Sequence, residues 1–214
     1  MKIGKFIVFE GIDGCGKSTQ IKRASDYIQH LDKYHEIARL REPTKRARTI
    51  ITELNKSDNP YSERELLTQA FIQERVEHTS STIIPLINNG IHVLCDRYSM
   101  STCAYQSAQG ESIDSLVSAH QKHISQRNIC VPNATFLIDV SEEITLERIS
   151  SGRESKEKFE QIDFLKKVRN NYLSFTRKES RQPNIFGRIY LIDGNKSIEE
   201  VASKINEILK TIYS

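Results

Sequence analysis

The sequence predicts an α/β protein whose five-stranded parallel sheet is flanked by helices on both faces, giving three layers. Short apolar segments rich in β-branched residues alternate along the chain with longer segments of helical periodicity, which is typical of this architecture. A glycine-rich loop directly follows the first apolar segment. The chain has 214 residues, a length that suits one domain with a sizeable core. We therefore expect a single domain over residues 1–214.

The alternation of apolar and helical segments predicts where the strands and helices lie along the chain. The predicted strands are 6–9, 37–40, 91–95, 135–140 and 188–192. The predicted helices include 18–31, 62–87, 112–127, 157–178 and 197–212. Ser197 followed by Glu200 predicts a capping box at the start of the last helix. Gly90 and the two asparagines before it predict where the second helix ends.

Composition limits the classes of protein to which the chain can belong. Hydrophobic residues make up 37% and charged residues 28%, and no apolar run approaches the roughly 18 residues that a membrane helix needs. The four cysteines, at positions 15, 95, 103 and 130, are too widely spaced for a zinc site or a disulfide framework. We therefore expect a cytoplasmic protein with no membrane partner.

The charge of the chain and its histidines exclude further classes. The net charge of +3 is small, so we expect no nucleic-acid partner. A basic cluster, Lys45, Arg46 and Arg48, is interpreted as a solvated helix face, with phosphate attraction as the alternative. His120 and His123 lie three residues apart but lack a third ligand, so we predict no metal site and place both rings in solvent.

Residues 11–18, GIDGCGKS, match the pattern G-x-x-x-x-G-K-[ST] of phosphate-binding loops, or P-loops. Glycines allow the backbone N–H groups to turn inward around phosphates, in dihedral angles that a Cβ would obstruct. Lys17, at the start of the following helix, is expected to neutralise the β/γ oxygens of a bound di- or triphosphate. The predicted ATP contacts of the loop are Gly11, Ile12, Asp13, Gly14, Cys15, Gly16, Lys17, Ser18 and Thr19. The strand, loop and helix together predict the P-loop NTPase fold.

A second charged group follows the third predicted strand. Asp96 and Arg97 lie at its carboxyl end, the edge at which open α/β sheets bind ligands. Asp96 and the Ser18 hydroxyl are the expected metal-binding groups, for the Mg²⁺ that accompanies ATP. Arg97 is expected to bind phosphate oxygens through two parallel hydrogen bonds, a geometry that lysine does not offer.

Four phrases of the chain resemble the thymidylate kinase family and occur in the family order. They are FEGIDGCGKST at 9–19, REPT at 41–44, FIQER at 71–75 and DRYSMSTCAYQ at 96–106. The resemblance continues through LIDV at 137–140, the polar segment 150–158 and the segment 159–172, so it covers most of the chain. It implies an enzyme of dTTP synthesis that transfers the γ-phosphoryl group of ATP to dTMP, uses Mg²⁺, and forms a homodimer packed through helices.

The resemblance also implies how the acceptor nucleotide is held. Asp13 would contact the 3′-hydroxyl of dTMP, and Arg41 would hold its phosphate together with Arg97. The chain departs from the family here, because REPT runs directly into KRAR where many bacterial members have REPGGT.

The resemblance implies contacts to the base and sugar as well. The implied residues are Phe71 stacked on thymine, Arg75 donating to its O4, Gln106 at the base edge, Tyr105 beside C2′, and Ser101 and Thr102 along the pocket. The structural alternatives are that Phe71 and Tyr105 are core aromatics, that Gln106 caps a turn, and that Arg75 pairs with Glu74 or Glu77.

The polar segment 150–158, SSGRESKEK, is interpreted as a lid, with a plain surface connection as the alternative. A cation on a closing lid stabilises the charge that spreads over a migrating phosphoryl group. Arg153 is the expected cation, and Arg148 is expected to lie over the adenine, although these two roles could be exchanged. The predicted catalytic residues are Lys17, Asp13, Arg97 and Arg153.

A P-loop by itself does not separate kinases from other nucleotide-binding proteins. One alternative is another nucleoside or nucleoside-monophosphate kinase, for example one that accepts dUMP. The other is a P-loop regulator or a nucleic-acid-dependent ATPase that uses the basic cluster. The small charge excess disfavours the last of these.

Overall fold

The computed structural model describes residues 3–45, 47, 64–149, 156–177 and 184–214. The strands in this part of the chain are β1 (Phe6–Glu10), β2 (Ile37–Arg41), β3 (His92–Asp96), β4 (Ala134–Asp139) and β5 (Arg188–Asp193). They form one parallel sheet in the order β2-β3-β1-β4-β5. The predicted α/β fold class and the five predicted strands are confirmed, and each strand boundary moves by no more than one residue.

Helices connect the strands. The helices of the described residues are α1 (Lys17–Leu31), α2 (Arg64–His78), α3 (Ile84–Asn88), α4 (Ser99–Ala108), α5 (Ile113–Ser125), α6 (Glu142–Ile149), α7 (Lys156–Ser174) and α8 (Ile198–Tyr213). The capping box of α8 forms as predicted, since the Glu200 amide donates to Ser197 Oγ at 3.2 Å and the Ser197 amide donates to the Glu200 carboxylate at 3.0 Å.

Strand β1 lies at the centre of the sheet, between β3 and β4, and all five of its residues are buried. The register pairs Phe9 with Asp96 on β3 and Glu10 with Leu137 on β4. Parallel strands covered on both faces have near-continuous apolar sequences, as the FIVF run of β1 does. The carboxyl ends of β1 and β3 therefore lie side by side, which brings the P-loop next to Asp96.

The apolar side chains of β1 divide between two clusters. Ile7 and Phe9 belong to the larger one, together with side chains of α1, α4, α5, α7 and α8. Phe6 and Val8, which point the other way, belong to a smaller cluster with side chains of α2. Fully burying an apolar side chain of this size contributes about 1.5–3 kcal/mol, so both clusters stabilise the central strand.

The second predicted helix, 62–87, contains a change of helix type that periodicity does not show. A π-helical stretch, Thr79–Ile83, connects α2 to α3. The Ser81 hydroxyl donates to the carbonyl of Glu77 at 2.6 Å and competes with the backbone there. Pro85 has no N–H to donate to the Ser81 carbonyl four residues earlier. Both residues favour the wider turn.

The sequence prediction gives no bounds for helix α4. Its sequence, SMSTCAYQSA, is short and contains four serine or threonine residues, so its intrinsic helix propensity is low. Met100, Cys103 and Ala104 are nevertheless fully buried in the larger cluster. Tertiary packing therefore stabilises a helix that the local sequence only weakly favours.

Several predicted features lie outside the described residues. They are Arg46, Arg48, Arg153 and the first part of the predicted lid, 150–155. Residues 156–158 of that segment belong to α7, and Arg148 belongs to α6, without a described side chain. In the described ranges, no helix combines the length and the apolar character needed to cross a membrane.

Candidate active site

The loop between β1 and α1 has backbone angles that glycine requires. Gly11 has φ 137° and Gly16 has φ 98°, in the region that side chains rarely adopt. At Gly11, a Cβ would also lie 2.5 Å from the carbonyl oxygen of Ile138. At Gly16, a Cβ would meet nothing within 4 Å, so the angle alone requires glycine at the start of α1. The glycines of the predicted P-loop are therefore explained by the geometry of the loop.

Lys17 is the first residue of α1, and its side chain is folded against the P-loop. Its Nζ donates hydrogen bonds to the carbonyl oxygens of Gly11, at 3.0 Å, and Ile12, at 2.9 Å. Burial, followed by the charge of Arg97, lowers the pKa of Lys17. Two neutral carbonyls satisfy this buried ammonium only partly, so an anionic phosphate near it would be strongly favoured.

Asp96 ends β3 directly beside the P-loop. Its Oδ2 accepts a hydrogen bond from the Ser18 hydroxyl at 3.4 Å and lies 3.5 Å from Nη2 of Arg41. Its Oδ1 is buried and has no hydrogen-bond partner among the described residues. A buried carboxylate oxygen without a partner, next to a hydroxyl, fits the one or two protein oxygens that Mg²⁺ uses at nucleotide sites.

The metal prediction for Ser18 and Asp96 therefore fits the geometry. Within the described ranges, no group of three His, Cys, Asp or Glu side chains is placed to hold a metal ion. A metal at Asp96 would therefore take its remaining ligands from phosphate oxygens and water, as Mg²⁺ commonly does with ATP.

Arg97 connects the sheet edge to the P-loop. Its backbone has φ 71°, which is unusual for a residue other than glycine, and its amide donates to the carbonyl of Phe9 at 2.9 Å. Nη2 donates to Asp13 Oδ1 at 2.7 Å and to the Tyr105 hydroxyl at 3.2 Å, and Nη1 donates to Ser101 Oγ at 3.0 Å. A backbone held in this region indicates that the position of the guanidinium is fixed by the fold.

Asp13, the partner of Arg97, is the exposed member of this ion pair. Its side chain is 62% exposed, against 11% for Arg97. Burial would raise the pKa of Asp13, but the charges of Arg97 and Lys17 and the hydrogen bonds from Arg97 and Tyr105 outweigh it, so the pKa is lowered. Asp13 is thus an ionised acceptor at the mouth of the site.

Glu10 lies beneath Arg97, and the sequence analysis gave it no role. Its carboxylate accepts hydrogen bonds from the Tyr98 amide at 2.7 Å, the Ser101 hydroxyl at 2.5 Å and the Tyr172 hydroxyl at 3.1 Å. Burial raises the pKa of Glu10, although these hydrogen bonds and Arg97 act in the opposite direction. A glutamate inside the otherwise apolar strand FIVFE was the signal that could have identified it.

A pocket of about 240 Å³ opens beside the Asp13–Arg97 pair. Among the described residues, its walls are Asp13, Glu42, Pro43, Leu67, Phe71, Arg75, Arg97, Tyr98, Ser101, Thr102, Tyr105, Gln106, Gln109 and Phe164. Eight of the nine residues predicted to bind dTMP are in this set. Arg41 is the exception, because its half-exposed side chain lies beside Asp96 at the sheet edge.

Arg75 and Glu42 are the two most deeply buried charges of the pocket wall, each with 2% of its side chain exposed. Arg75 Nε donates to Glu42 Oε2 at 2.8 Å and its Nη2 to Thr102 Oγ1 at 3.1 Å. Its guanidinium also lies 4.9 Å from the centre of the Tyr98 ring. Burial disfavours the charge of Arg75, but Glu42 outweighs it, so the pKa is raised.

The structural alternative for Arg75, a pairing with Glu74 or Glu77, is therefore wrong. Glu42 supplies the carboxylate instead, from a position 33 residues earlier in the chain. Glu42 Oε1 also lies 3.0 Å from His78 Nδ1, so both oxygens of this buried carboxylate have partners. Glu74 accepts a hydrogen bond from the Thr44 amide.

The prediction that His120 faces solvent is also wrong. His120 is fully buried, and its Nε2 lies 2.8 Å from Nη1 of Arg75. Burial and the charge of Arg75 lower the pKa of His120 to about 3. Its position on α5 carries no sign of this contact, because Arg75 is 45 residues away in the chain.

Two amide side chains on α4 and just after it line the same pocket. Gln106 is buried, and its Nε2 has no hydrogen-bond partner among the described residues. The same is true of Oε1 of Gln109. Buried polar atoms usually have partners, so these two atoms leave one donor and one acceptor of the pocket wall available to a ligand.

A model of the thymidylate kinase family matches residues 9–205 of this chain. The chain belongs to the thymidylate kinase family. The thymidylate kinase of Sulfurihydrogenibium sp. is 36% identical over 215 residues, which cover 97% of this chain and 98% of that protein. The thymidylate kinase of Ruthia magnifica is 34% identical over 218 residues, with 99% and 100% covered. The thymidylate kinase of Leptospira interrogans is 32% identical over 207 residues, with 96% and 94% covered.

Membership of the thymidylate kinase family makes the chain an ATP-dependent nucleoside-monophosphate kinase. The four phrases from which the sequence analysis inferred the family all lie within the matched residues, and that inference is confirmed. The structure brings the four phrases to one edge of the sheet, around one loop and one pocket.

Proposed function

We propose that this protein transfers the γ-phosphoryl group of ATP to dTMP, giving dTDP and ADP, in the synthesis of dTTP. The observation that carries the proposal is the continuity between the P-loop and the pocket. Asp13 belongs to the P-loop and also lines the pocket, and Arg97, its partner, lies between the two. An acceptor whose base fills the pocket would thus present its phosphate to ATP.

The pocket suits a pyrimidine 2′-deoxynucleotide with its base at the inner end. Phe71 offers an aromatic face for stacking, and Arg75 and Gln106 offer N–H donors to carbonyl oxygens of thymine. Tyr105 is fixed by hydrogen bonds to Arg97 and Asp13, so its ring can exclude a 2′-hydroxyl. Ser101 and Thr102 support the wall beside the base.

The reaction proposed is a direct in-line transfer without a phosphoenzyme, in which positioning and cations supply most of the rate. Lys17 would exchange its two carbonyl partners for oxygens of the β- and γ-phosphates. Arg97, with Arg41 nearby, would hold the acceptor phosphate and keep it from repelling ATP. Mg²⁺ bound with ATP at Ser18 and Asp96 would neutralise phosphate charge. No side chain needs to act as a general base.

The remaining expectations are part of the proposal. Arg153, on the segment 150–158, would add a cation from a lid, and Arg148 would cover the adenine. We propose one P-loop kinase domain over residues 1–214, a helix-packed homodimer, and a cytoplasmic location.

The test is a panel of acceptors with ATP and Mg²⁺. Purified protein should form ADP and dTDP from dTMP, with a kcat/KM well above those for dUMP, dCMP, dGMP and TMP with a ribose sugar. The idea fails if dTMP yields no diphosphate while another monophosphate or a nucleoside is consumed readily. ADP release without any acceptor, stimulated by nucleic acid, would instead favour an ATPase.

A further inference from the structure

The hydrogen bonds of Arg75 leave one hydrogen for a ligand. A guanidinium has five N–H hydrogens. Nε donates its hydrogen to Glu42. Nη2 donates one hydrogen to Thr102, and it also lies 2.8 Å from Oε2 of Glu42, which accounts for its other hydrogen. Nη1 donates one hydrogen to Nε2 of His120. The second hydrogen of Nη1 has no acceptor among the described residues. His120 is the residue that bonds to this nitrogen through its other hydrogen.

The protonation of His120 follows from its two contacts. Its Nδ1 lies 2.7 Å from the carbonyl oxygen of Leu116, which can only accept, so Nδ1 carries the hydrogen. Its Nε2 faces Nη1 of Arg75, which can only donate, so Nε2 is bare. The low pKa of His120, about 3, agrees with a ring that stays neutral in neutral solution.

We propose that His120 is a positioning residue for base recognition, which orients the guanidinium of Arg75 so that its remaining Nη1 hydrogen meets O4 of the thymine ring. The proposal rests on the function proposed above. Glu42 fixes the other edge of the guanidinium through Nε and Nη2, so the bond from His120 determines how Nη1 is directed. Neither His120 itself nor its helix, α5, lines the pocket.

A positioning role differs from a packing role in what it does to selectivity. Thymine presents an acceptor, O4, where cytosine presents an amino group that donates. A correctly directed N–H therefore favours dTMP over dCMP, whereas a general loss of packing lowers turnover of both acceptors together. The preference for dTMP over dCMP, as a ratio of kcat/KM values, isolates the proposed role.

The experiment compares two amides at this position. His120→Gln can place its carbonyl oxygen near the position of Nε2 and so still accept from Arg75. His120→Asn is shorter and retains an N–H for the Leu116 carbonyl, but it does not reach Arg75. His123→Asn, at a half-buried ring one turn along α5, is the matched control. Thermal unfolding of each variant checks folding.

The expected results differ between the variants. His120→Asn should reduce the preference for dTMP over dCMP about tenfold or more, through a higher KM for dTMP with an unchanged KM for ATP, because a hydrogen bond to a charged group is lost. His120→Gln should keep the preference within about threefold of wild type, and His123→Asn should leave it unchanged. An unchanged preference in His120→Asn, or an equal loss in His120→Gln, would overturn the inference.

A second measurement needs no variant. In ¹⁵N NMR spectra of the wild-type protein, the ring of His120 should show a protonated Nδ1 and a bare Nε2 at pH 7. Added dTMP should shift the Nε2 resonance, and added ATP should not. A protonated Nε2 would overturn the inference even if the wild-type protein phosphorylates dTMP. A wild-type protein that does not phosphorylate dTMP would instead refute the proposed function itself.

Discussion

The phosphate end and the base end of the site hold their charges in different ways. At the phosphate end, the hydrogen-bond partners of Lys17 among the described residues are two backbone carbonyls and a cysteine sulfur, and Oδ1 of Asp96 has no partner there. At the base end, Arg75 and Glu42 are each 2% exposed, and they neutralise each other.

The difference follows from what each end must receive. A triphosphate brings several negative charges. Cations at the phosphate end therefore bind it most strongly when the protein leaves them incompletely paired. A thymine ring is neutral, so it cannot balance the charge of a buried guanidinium. Without a counter-ion, that buried charge would destabilise the folded protein even if it formed a hydrogen bond to the ring. The base end therefore supplies its own carboxylate and presents a single donor, whereas the phosphate end leaves charge available.

Removing the charge of Lys17 tests the phosphate end and should have the largest effect. Lys17→Ala should lower kcat on the order of 10³-fold with dTMP and with any other acceptor, because a cation aimed at the migrating charge is lost. Steady-state assays of ADP formation measure this, with Lys22→Ala, an exposed lysine on the same helix, as the control. Retention of full activity would contradict the P-loop assignment.

Removing the charge of Glu42 tests the base end by its effect on the free energy of unfolding. Glu42→Gln should lower the free energy of unfolding by about 3 kcal/mol, because the Arg75 charge stays buried without its counter-ion. Urea denaturation measures this. Glu207→Gln, which breaks an exposed ion pair with Lys204, should cost no more than about 0.5 kcal/mol.

The double variant sharpens this prediction. Arg75→Met added to Glu42→Gln should restore much of the lost stability, because both buried charges are then gone. Additive losses in the double variant would mean that the two side chains do not stabilise each other, and would remove the proposed contrast between the two ends.

As the pH falls, the base end should lose its contribution to the free energy of unfolding before the phosphate end does. The pKa of His120 is about 3 in the folded protein and near 6.5 when unfolded, so between these values the unfolded state binds a proton that the folded state does not. Stability should thus be fully retained above pH 6.5 and decline on acidification, with His120 contributing about 2 kcal/mol of loss between pH 6.5 and 4.5. Asp13, whose lowered pKa lies under 3.8, contributes stability that is lost only at lower pH.

The measurement is the free energy of unfolding of wild type and His120→Gln across this range. The two curves should converge as the pH falls, since the variant lacks the group that titrates. Parallel curves would show that His120 is not held neutral by its surroundings.

Replacing Gln106 should give the smallest effect, and it should lower activity without lowering stability. Gln106→Leu should lower kcat/KM for dTMP about tenfold, through the lost donor, but should not lower the free energy of unfolding, because Nε2 has no protein partner to lose. Kinetics and urea denaturation are measured together, with Gln29→Leu, an exposed site on α1, as the control. A clear loss of stability would assign Gln106 to the fold instead of the ligand.

Sequence reasoning succeeded where the determining residues are close together in the chain. The P-loop, its glycines and the strand and helix around it fall within residues 6–31, and the structure places them as expected. The five strands were also predictable, because burial on both faces imposes an apolar run that is visible in the sequence itself.

It failed where the determining contact is distant in the chain. Periodicity could suggest only neighbours on one helix for Arg75, whereas its partners come from β2's end, α4 and α5. His120 looked like a surface residue for the same reason. The bounds of helix α4 were not predicted because its stability comes from burial against the larger cluster, which no local propensity encodes.

The fold class, the phosphate loop and the family were predictable without a structure, because periodic burial and a contiguous glycine loop are local properties. Three features became visible only in the folded chain: how Arg75 is neutralised, which tautomer His120 adopts, and which amides of the pocket have no partner among the described residues. A buried charge is stable only with partners at hydrogen-bond distance, and those partners become neighbours only after the sheet and its helices have packed.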